Sequence, residues 1–303
     1  MDQRAELSEF LRSRRGRLRP ADVGLPELGR RRRVPGLRRE ELAQLAGVSV
    51  AYYTRLEQGN SGNVSAEVLD SIARALRLSE AEHSHLSHLA RPKPKKYGRT
   101  VRSQRLRPAL QQLMDSMESV PSYVLGRRLD ILGWNRMARV LLGDFAAMEP
   151  HERNMARMVF LDPRAAEIYV DRERKAVDVV SLLRMYAGYC PDDAKLSALV
   201  GELSVRSAEF RGLWAAHTVQ EKGHGSKLIR HPLVGEMTLF YEALRPPEDP
   251  ELTLVTYHAE PGSRSAESLR LLAGWGPAEP PEPGSGPRSG APDRTGAGGA
   301  ATA

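Results

Sequence analysis

Along the first ninety residues, apolar positions recur at helical spacing in runs too short for one long helix. An amphipathic stretch from about Arg4 to Arg19 leads into PADVGLPELGRRRRVPG, a loop punctuated by proline and glycine. In EELAQLAGVSVAYYTRLEQG, Leu42, Leu45 and Ala46 share a stripe that Tyr53 and Leu56 would extend, yet Gly47-Val48-Ser49 interrupts it. Ser65 is placed to cap SAEVLDSIARALRL, with Val68, Leu69, Ile72 and Leu76 on one face. Ser79 opens SEAEHSHLSHLA with Glu82 three residues on, a capping box. The pattern predicts five short helices within residues 1–90.

The periodicity then changes. RPKPKKYGRTVRSQRLRP, residues 91–108, is too basic and proline-broken to pack and is expected to be a linker. Within residues 109–275, SYVLGRRLDILGWN predicts a strand pair, and helical patterns fill Asp162 to Tyr189 and Asp193 to Ala216. GSKLIRHPLVGEMTLFYEALR and ELTLVTYHAEPG predict strands again. Strands, helices, then strands make an α+β domain with an antiparallel sheet. Residues 276–303, rich in Gly, Pro and Ala, lack the apolar side chains to offset ordering entropy, so a disordered tail is expected.

Charge sharpens the division. Residues 1–107 carry 23 Lys and Arg against 12 Asp and Glu, whereas the rest carries 22 against 26. A basic first domain points to a polyanion, double-stranded DNA first. No apolar run reaches the roughly 20 residues of a membrane span, and MDQRAELSEFLRSRR lacks the apolar core of a secretory signal, so a cytoplasmic protein without membrane contact is expected. Cys190 is the single cysteine; it excludes an intrachain disulfide and reads as a small buried hydrophobe.

A helix broken after two turns and restarted at once suits a chain that must turn sharply. In a helix-turn-helix the first helix braces on the DNA backbone while the second enters the major groove. Gly47 suits a left-handed turn, Val48 plugs it, and Ser49 caps the second helix. The segment RRRVPGLRREELAQLAGVSVAYYTRLEQGN resembles the phage-repressor or XRE-type helix-turn-helix. Its lead-in is similar to regulators with an MmyB-like ligand-binding domain, a likeness that continues through ILGWN, NMARMVF, SAEFRGLWAAHTV and HPLVGEMTLFYE. The resemblance implies a transcriptional regulator with five helices, then a PAS-like α+β domain whose apolar cavity holds a fatty-acid-like ligand.

Helix geometry assigns Val50, Ala51, Thr54 and Arg55 to base edges and Tyr52 to phosphate, with Tyr53 and Leu56 facing inward. Val50, Ala51 and Arg55 match the family's base-edge positions. Arg55 is the strongest reader, since a guanidinium bonds O6 and N7 of guanine together. Arg38 and Arg39 at the bracing helix, and Arg30, Arg31, Arg32 and Arg33 before it, are expected on phosphates; a solvated basic surface accounts for the same residues. The resemblance also implies an ion pair between Arg15 and Glu57.

In the second domain, Val124, Leu132 and Trp134 are expected to form one wall of a pocket and Phe160, Leu183, Leu213 and Trp214 the other, with Arg184 receiving the polar head. A filled core explains these residues equally well, and only the resemblance favours a cavity. No resident cofactor and no metal site is expected, HSHLSH reading as surface histidines, and no catalytic constellation stands out. The alternative function for this domain is homodimerisation or protein contact without a small molecule.

Overall fold

The structure, a computed structural model, describes residues 2–25, 36–62, 64–91, 104–190, 192–217, 219, 223–249 and 251–274. The expected arginines 30–33, most of the linker and the tail lie outside the described residues.

Five helices form the first domain: α1 (Gln3–Arg17), α2 (Arg39–Leu45), α3 (Val50–Glu57), α4 (Ala66–Ala75) and α5 (Glu80–Ala90). Each starts where the sequence offers the backbone a side-chain acceptor. Asp2, Ser49, Ser65 and Ser79 accept from the amides of Arg4, Tyr52, Val68 and Glu82, and at α2 the Glu41 carboxylate takes the Arg38 amide. Gly47 turns the chain between α2 and α3 at φ +67°, in the left-handed region. Leu7, Phe10, Leu11, Leu42, Tyr53, Leu56, Leu69, Ile72 and Leu86 close one buried core.

The second domain opens with α6 (Pro108–Asp115), then β1 (Ser122–Leu125) and β2 (Ile131–Trp134). Seven helices follow in two groups. α7 (Arg136–Leu142), α8 (Met155–Leu161), α9 (Arg164–Ile168), α10 (Arg172–Tyr189), α11 (Ala194–Arg206) and α12 (Ala208–Ala215) precede β3 (His224–His231), β4 (Gly235–Leu244) and β5 (Thr253–His258); α13 (Arg264–Gly274) ends the domain. The strands form one antiparallel sheet in the order β2-β1-β5-β4-β3. This is the expected α+β arrangement. The long helical pattern from Asp162 splits, because Tyr169 leaves the helix to bridge Ile229 on β3, and α13 was not foreseen.

Each sheet face has its own cover. Val124, Leu254 and Leu132 pack with Leu110 and Met114 of α6, while Tyr123, Leu125, Val255, Tyr257, Leu239 and Met237 face the main helical layer. Strand alternation alone sorts these two sets.

Candidate nucleic-acid interface and ligand cavity

The short helix α3 presents opposite characters on its two sides. Tyr53, Leu56 and Glu57 are buried, whereas Val50, Ala51 and Arg55 are exposed and Tyr52 and Thr54 half-buried. The Arg55 guanidinium lies over the Tyr52 ring at 6.0 Å, so these two side chains share one outer surface. Arg4, Tyr52, Arg55 and Asn60 line an open cleft beside the end of α3.

Glu57 fixes that helix to its neighbours. Its carboxylate takes Arg15 Nε at 2.7 Å and Nη2 at 3.0 Å, and Arg39 Nε at 2.9 Å, while Arg15 also reaches the Leu37 carbonyl at 2.7 Å. Burial presses the carboxyl toward its neutral form, but the hydrogen bonds and charge of Arg15, then of Arg39, outweigh it and hold Glu57 below the usual carboxylate range. The expected role of Arg39 needs correction: its guanidinium is engaged by Glu57, in the same cluster as Arg15, while Arg38 stands exposed at the start of α2. Gly59 completes the approach of this corner to α1, for a Cβ there would stand 2.5 Å from the Arg4 carbonyl, at φ +83°.

A second cluster joins the domains. Arg184 on α10 is fully buried; its Nη1 lies 2.6 Å from Glu6 of α1 and 2.9 Å from His217 Nδ1, Nη2 donates to the Trp214 carbonyl, and the guanidinium stacks over the Trp214 ring at 4.1 Å. Because His217 Nδ1 accepts from Arg184, its Nε2 carries the proton toward Glu9, 3.0 Å away. Arg14 donates to the His217 carbonyl and pairs with Glu82 at 2.9 Å. Beside them, His85 of α5 is buried against Gly188 of α10, where a Cβ would meet its ring at 2.7 Å. Burial first, then the charges of Arg184 and Arg14, push both His85 and His217 down to about 3. The expectation of a surface histidine thus fails at His85, whose ring packs edge-on to Phe10 at 5.1 Å.

On the opposite side of α10 lies a cavity of about 320 Å³, lined by Tyr123, Leu125, Leu129, Lys175, Leu182 and Tyr257 among others. None of the eight residues expected to line a pocket borders it. Val124 and Leu132 point to the other sheet face, one residue out of phase with Tyr123 and Leu125. Trp134 packs on Phe145, Phe160 and Trp214 on Phe210, and Leu183 and Leu213 with the helical core, so these five take part in core packing away from this cavity. Arg184 belongs to the domain junction.

The cavity's own charges went unread in the sequence. Lys227 pairs with Asp178 and Arg245 lines the same cavity, whereas the ammonium of Lys175, a residue 8% exposed, has no side-chain hydrogen bond or ion pair among the described residues and lies 5.0 Å from the Tyr169 ring centre. Burial, then the Lys227 charge, lowers the Lys175 amine to about 7. A signal existed: Lys175, Asp178, Leu182 and Tyr186 repeat at helical spacing, putting an amine on an inward stripe. A second cavity of about 340 Å³, between Val140 and His231, contains Arg164 paired with Asp162 and Arg230 paired with Glu236.

Among the described residues no helix is long and apolar enough to cross a membrane. Residues 6–86 match the model of a helix-turn-helix domain, and residues 106–272 match that of an MmyB-like transcription regulator ligand binding domain. No curated protein matches the chain. A DNA-binding domain followed by a ligand-binding domain is the composition of a ligand-responsive transcription regulator, and since the second match spans more than half of its 303 residues, the chain belongs to the MmyB-like family of transcription regulators.

Proposed function

We propose that this regulator binds its operator through α3 and senses a fatty-acid-like molecule in the cavity beside α10. One observation carries the sensing half: Lys175, which faces the cavity, and Arg184, which seats the helix-turn-helix domain, are nine residues apart, about two and a half turns, on opposite faces of one helix. Any ligand that moves the cavity face of α10 acts on the seat of α1 and α5. That arrangement favours a sensor over a domain for dimerisation alone.

At the DNA, Arg55 reads a guanine and Val50 and Ala51 touch apolar base surface, with Thr54 beside them. Tyr52 and Arg38, together with Arg30, Arg31, Arg32 and Arg33, take phosphates, and two copies of the chain occupy a two-fold operator. Replacing Arg55 with Ala is expected to weaken the specific site by about 1–3 kcal/mol and to leave non-specific DNA nearly unchanged. Equal losses on both would remove direct readout.

The test of sensing is operator affinity of the full chain, delipidated and lipid-loaded, at a site found by genomic footprinting. A ligand shifts affinity only if it distinguishes two arrangements of the protein. The wild type is expected to respond. Gly188→Ala, which wedges a methyl against His85, is expected to blunt the response. Unchanged wild-type affinity removes the sensor and leaves DNA binding intact.

A further inference from the structure

Lys175 and Lys227 both line the cavity beside α10, in unlike surroundings. Lys227 lies over the Tyr241 ring and is paired with Asp178. Lys175 is more than nine-tenths buried, and its ammonium meets the Tyr169 ring face with no side-chain hydrogen bond or ion pair among the described residues. Arg245, exposed, adds a further cation to the lining. A ring face holds an ammonium less firmly than a carboxylate does, and a cationic neighbour works against it, so of the two amines Lys175 gives up its proton first. Burial, then the Lys227 charge, brings that amine to about 7, where half of it carries a free lone pair at neutral pH. An ordinary lysine, near 10.4, offers less than about 0.1%.

Desolvation beside a second cation is a general route by which a lysine becomes a nucleophile toward carbonyl carbon. The rest of the lining suits a compact, flat, apolar reactant. Tyr123, Tyr186, Tyr241 and Tyr257 join Leu182 and Val255 there, and at roughly 30 Å³ per non-hydrogen atom about 320 Å³ admits about ten such atoms. We propose that Lys175 is a reversible covalent site for a small aromatic aldehyde, which it takes up as an imine. The neutral amine attacks the aldehyde carbon and a C–N bond forms as the carbonyl π pair moves to oxygen. That oxygen gains a proton from water and the nitrogen loses one to water, giving a carbinolamine. The nitrogen lone pair then expels the protonated hydroxyl as water, and loss of the remaining N–H proton leaves C=N. One amine and one aldehyde become one imine and one water, without oxidant or reductant, and hydrolysis reverses the steps. The fatty-acid reading above uses the same space but not this chemistry, so either stands if the other fails.

In the experiment the delipidated full chain is equilibrated with benzaldehyde, quenched with borohydride to fix each imine as a secondary amine, and mapped by peptide mass spectrometry. At pH 7 Lys175 is expected to carry about 10- to 100-fold more label than Lys227, which shares the cavity but is paired, or than the exposed Lys195. That range lies below the contrast in lone-pair fraction with an ordinary lysine, because nucleophilicity falls with basicity. Labelling of Lys175 is expected to rise up to tenfold per pH unit below about 7 and to level off above it, where the amine is already neutral. In urea, which removes the cavity, the three lysines are expected to label alike. Equal labelling of Lys175 and Lys227 in the folded chain, labelling of Lys175 that still climbs above pH 8, or a preference for Lys175 that persists in urea overturns the imine site. Operator affinity unchanged by lipid loading overturns the fatty-acid sensor alone.

Discussion

The two faces of α10 each bury a cation and treat it in opposite ways. Arg184 is surrounded by a carboxylate, an imidazole, a carbonyl and an indole ring, while Lys175 lies over a tyrosine face at a cavity that Asp178, Lys227 and Arg245 also line. The planar fork of arginine suits a site with several fixed acceptors. A buried lysine without an acceptor among its described neighbours is costly to the fold. The contrast separates a charge that holds two domains together from a charge that borders a cavity, although burial alone does not distinguish them.

Removing each cation should therefore have opposite consequences. Arg184→Met leaves Glu6 and His217 buried without their partner and is expected to cost about 3–5 kcal/mol of stability in urea denaturation of the full chain. A loss below about 1 kcal/mol would mean that the junction is not built on this residue. Acid should open the same junction next most strongly. His85 and His217 sit near 3 when docked and would return toward 6.5 in water, so the docked form loses protons that the open form keeps, and docking weakens as pH falls below about 6.5.

The groups facing these histidines are Arg184, Arg14, Arg17 and Glu9 at His217, and Arg184, Arg14, His88 and His217 at His85. Glu6, raised mainly by burial, acts in the opposite sense, so Glu6→Gln is compared with the wild type from pH 6.5 to 5 to isolate the histidines. Up to tenfold per pH unit per histidine is expected in hydrogen exchange of α1 and α5. Exchange that does not change across that range would show that the imidazoles stay buried in both states.

Lys175→Met is expected to stabilise the ligand-free protein by about 1–3 kcal/mol, the cost of a buried polar group without a partner. Loss of stability in that variant would show that the amine is already satisfied and would erase the contrast. The smallest effect belongs to Arg39→Ala. Its guanidinium pairs with buried Glu57 but is 41% exposed, so solvent screening limits the loss to about 1 kcal/mol or less, with Arg15 left to hold the carboxylate.

Local chemistry wrote the first domain almost completely into its sequence. Capping serines, a left-handed glycine and a short stripe of leucines act within a few residues of one another, so α2, the turn at Gly47 and α3 can be read directly. The strands of the second domain were legible for the same reason. Arg39 was not, because its assignment depends on a carboxylate 18 residues away that competes with DNA for its guanidinium.

What only tertiary structure decided is which face of each element meets which neighbour. Val124 and Tyr123 are both strand-favouring residues in sequence, yet strand alternation sends one beneath α6 and the other into the cavity wall. Arg184 and Lys175 are both cations on a helix buried on more than one side, and nothing within α10 says that one meets Glu6 across the domain boundary and the other borders a cavity. Sequence fixes periodicity and local caps because those interactions act over a turn or less. Partners brought together from 178 residues apart, and space left unfilled between a helix and a sheet, are properties of packing, and they emerge only when the domains close on one another.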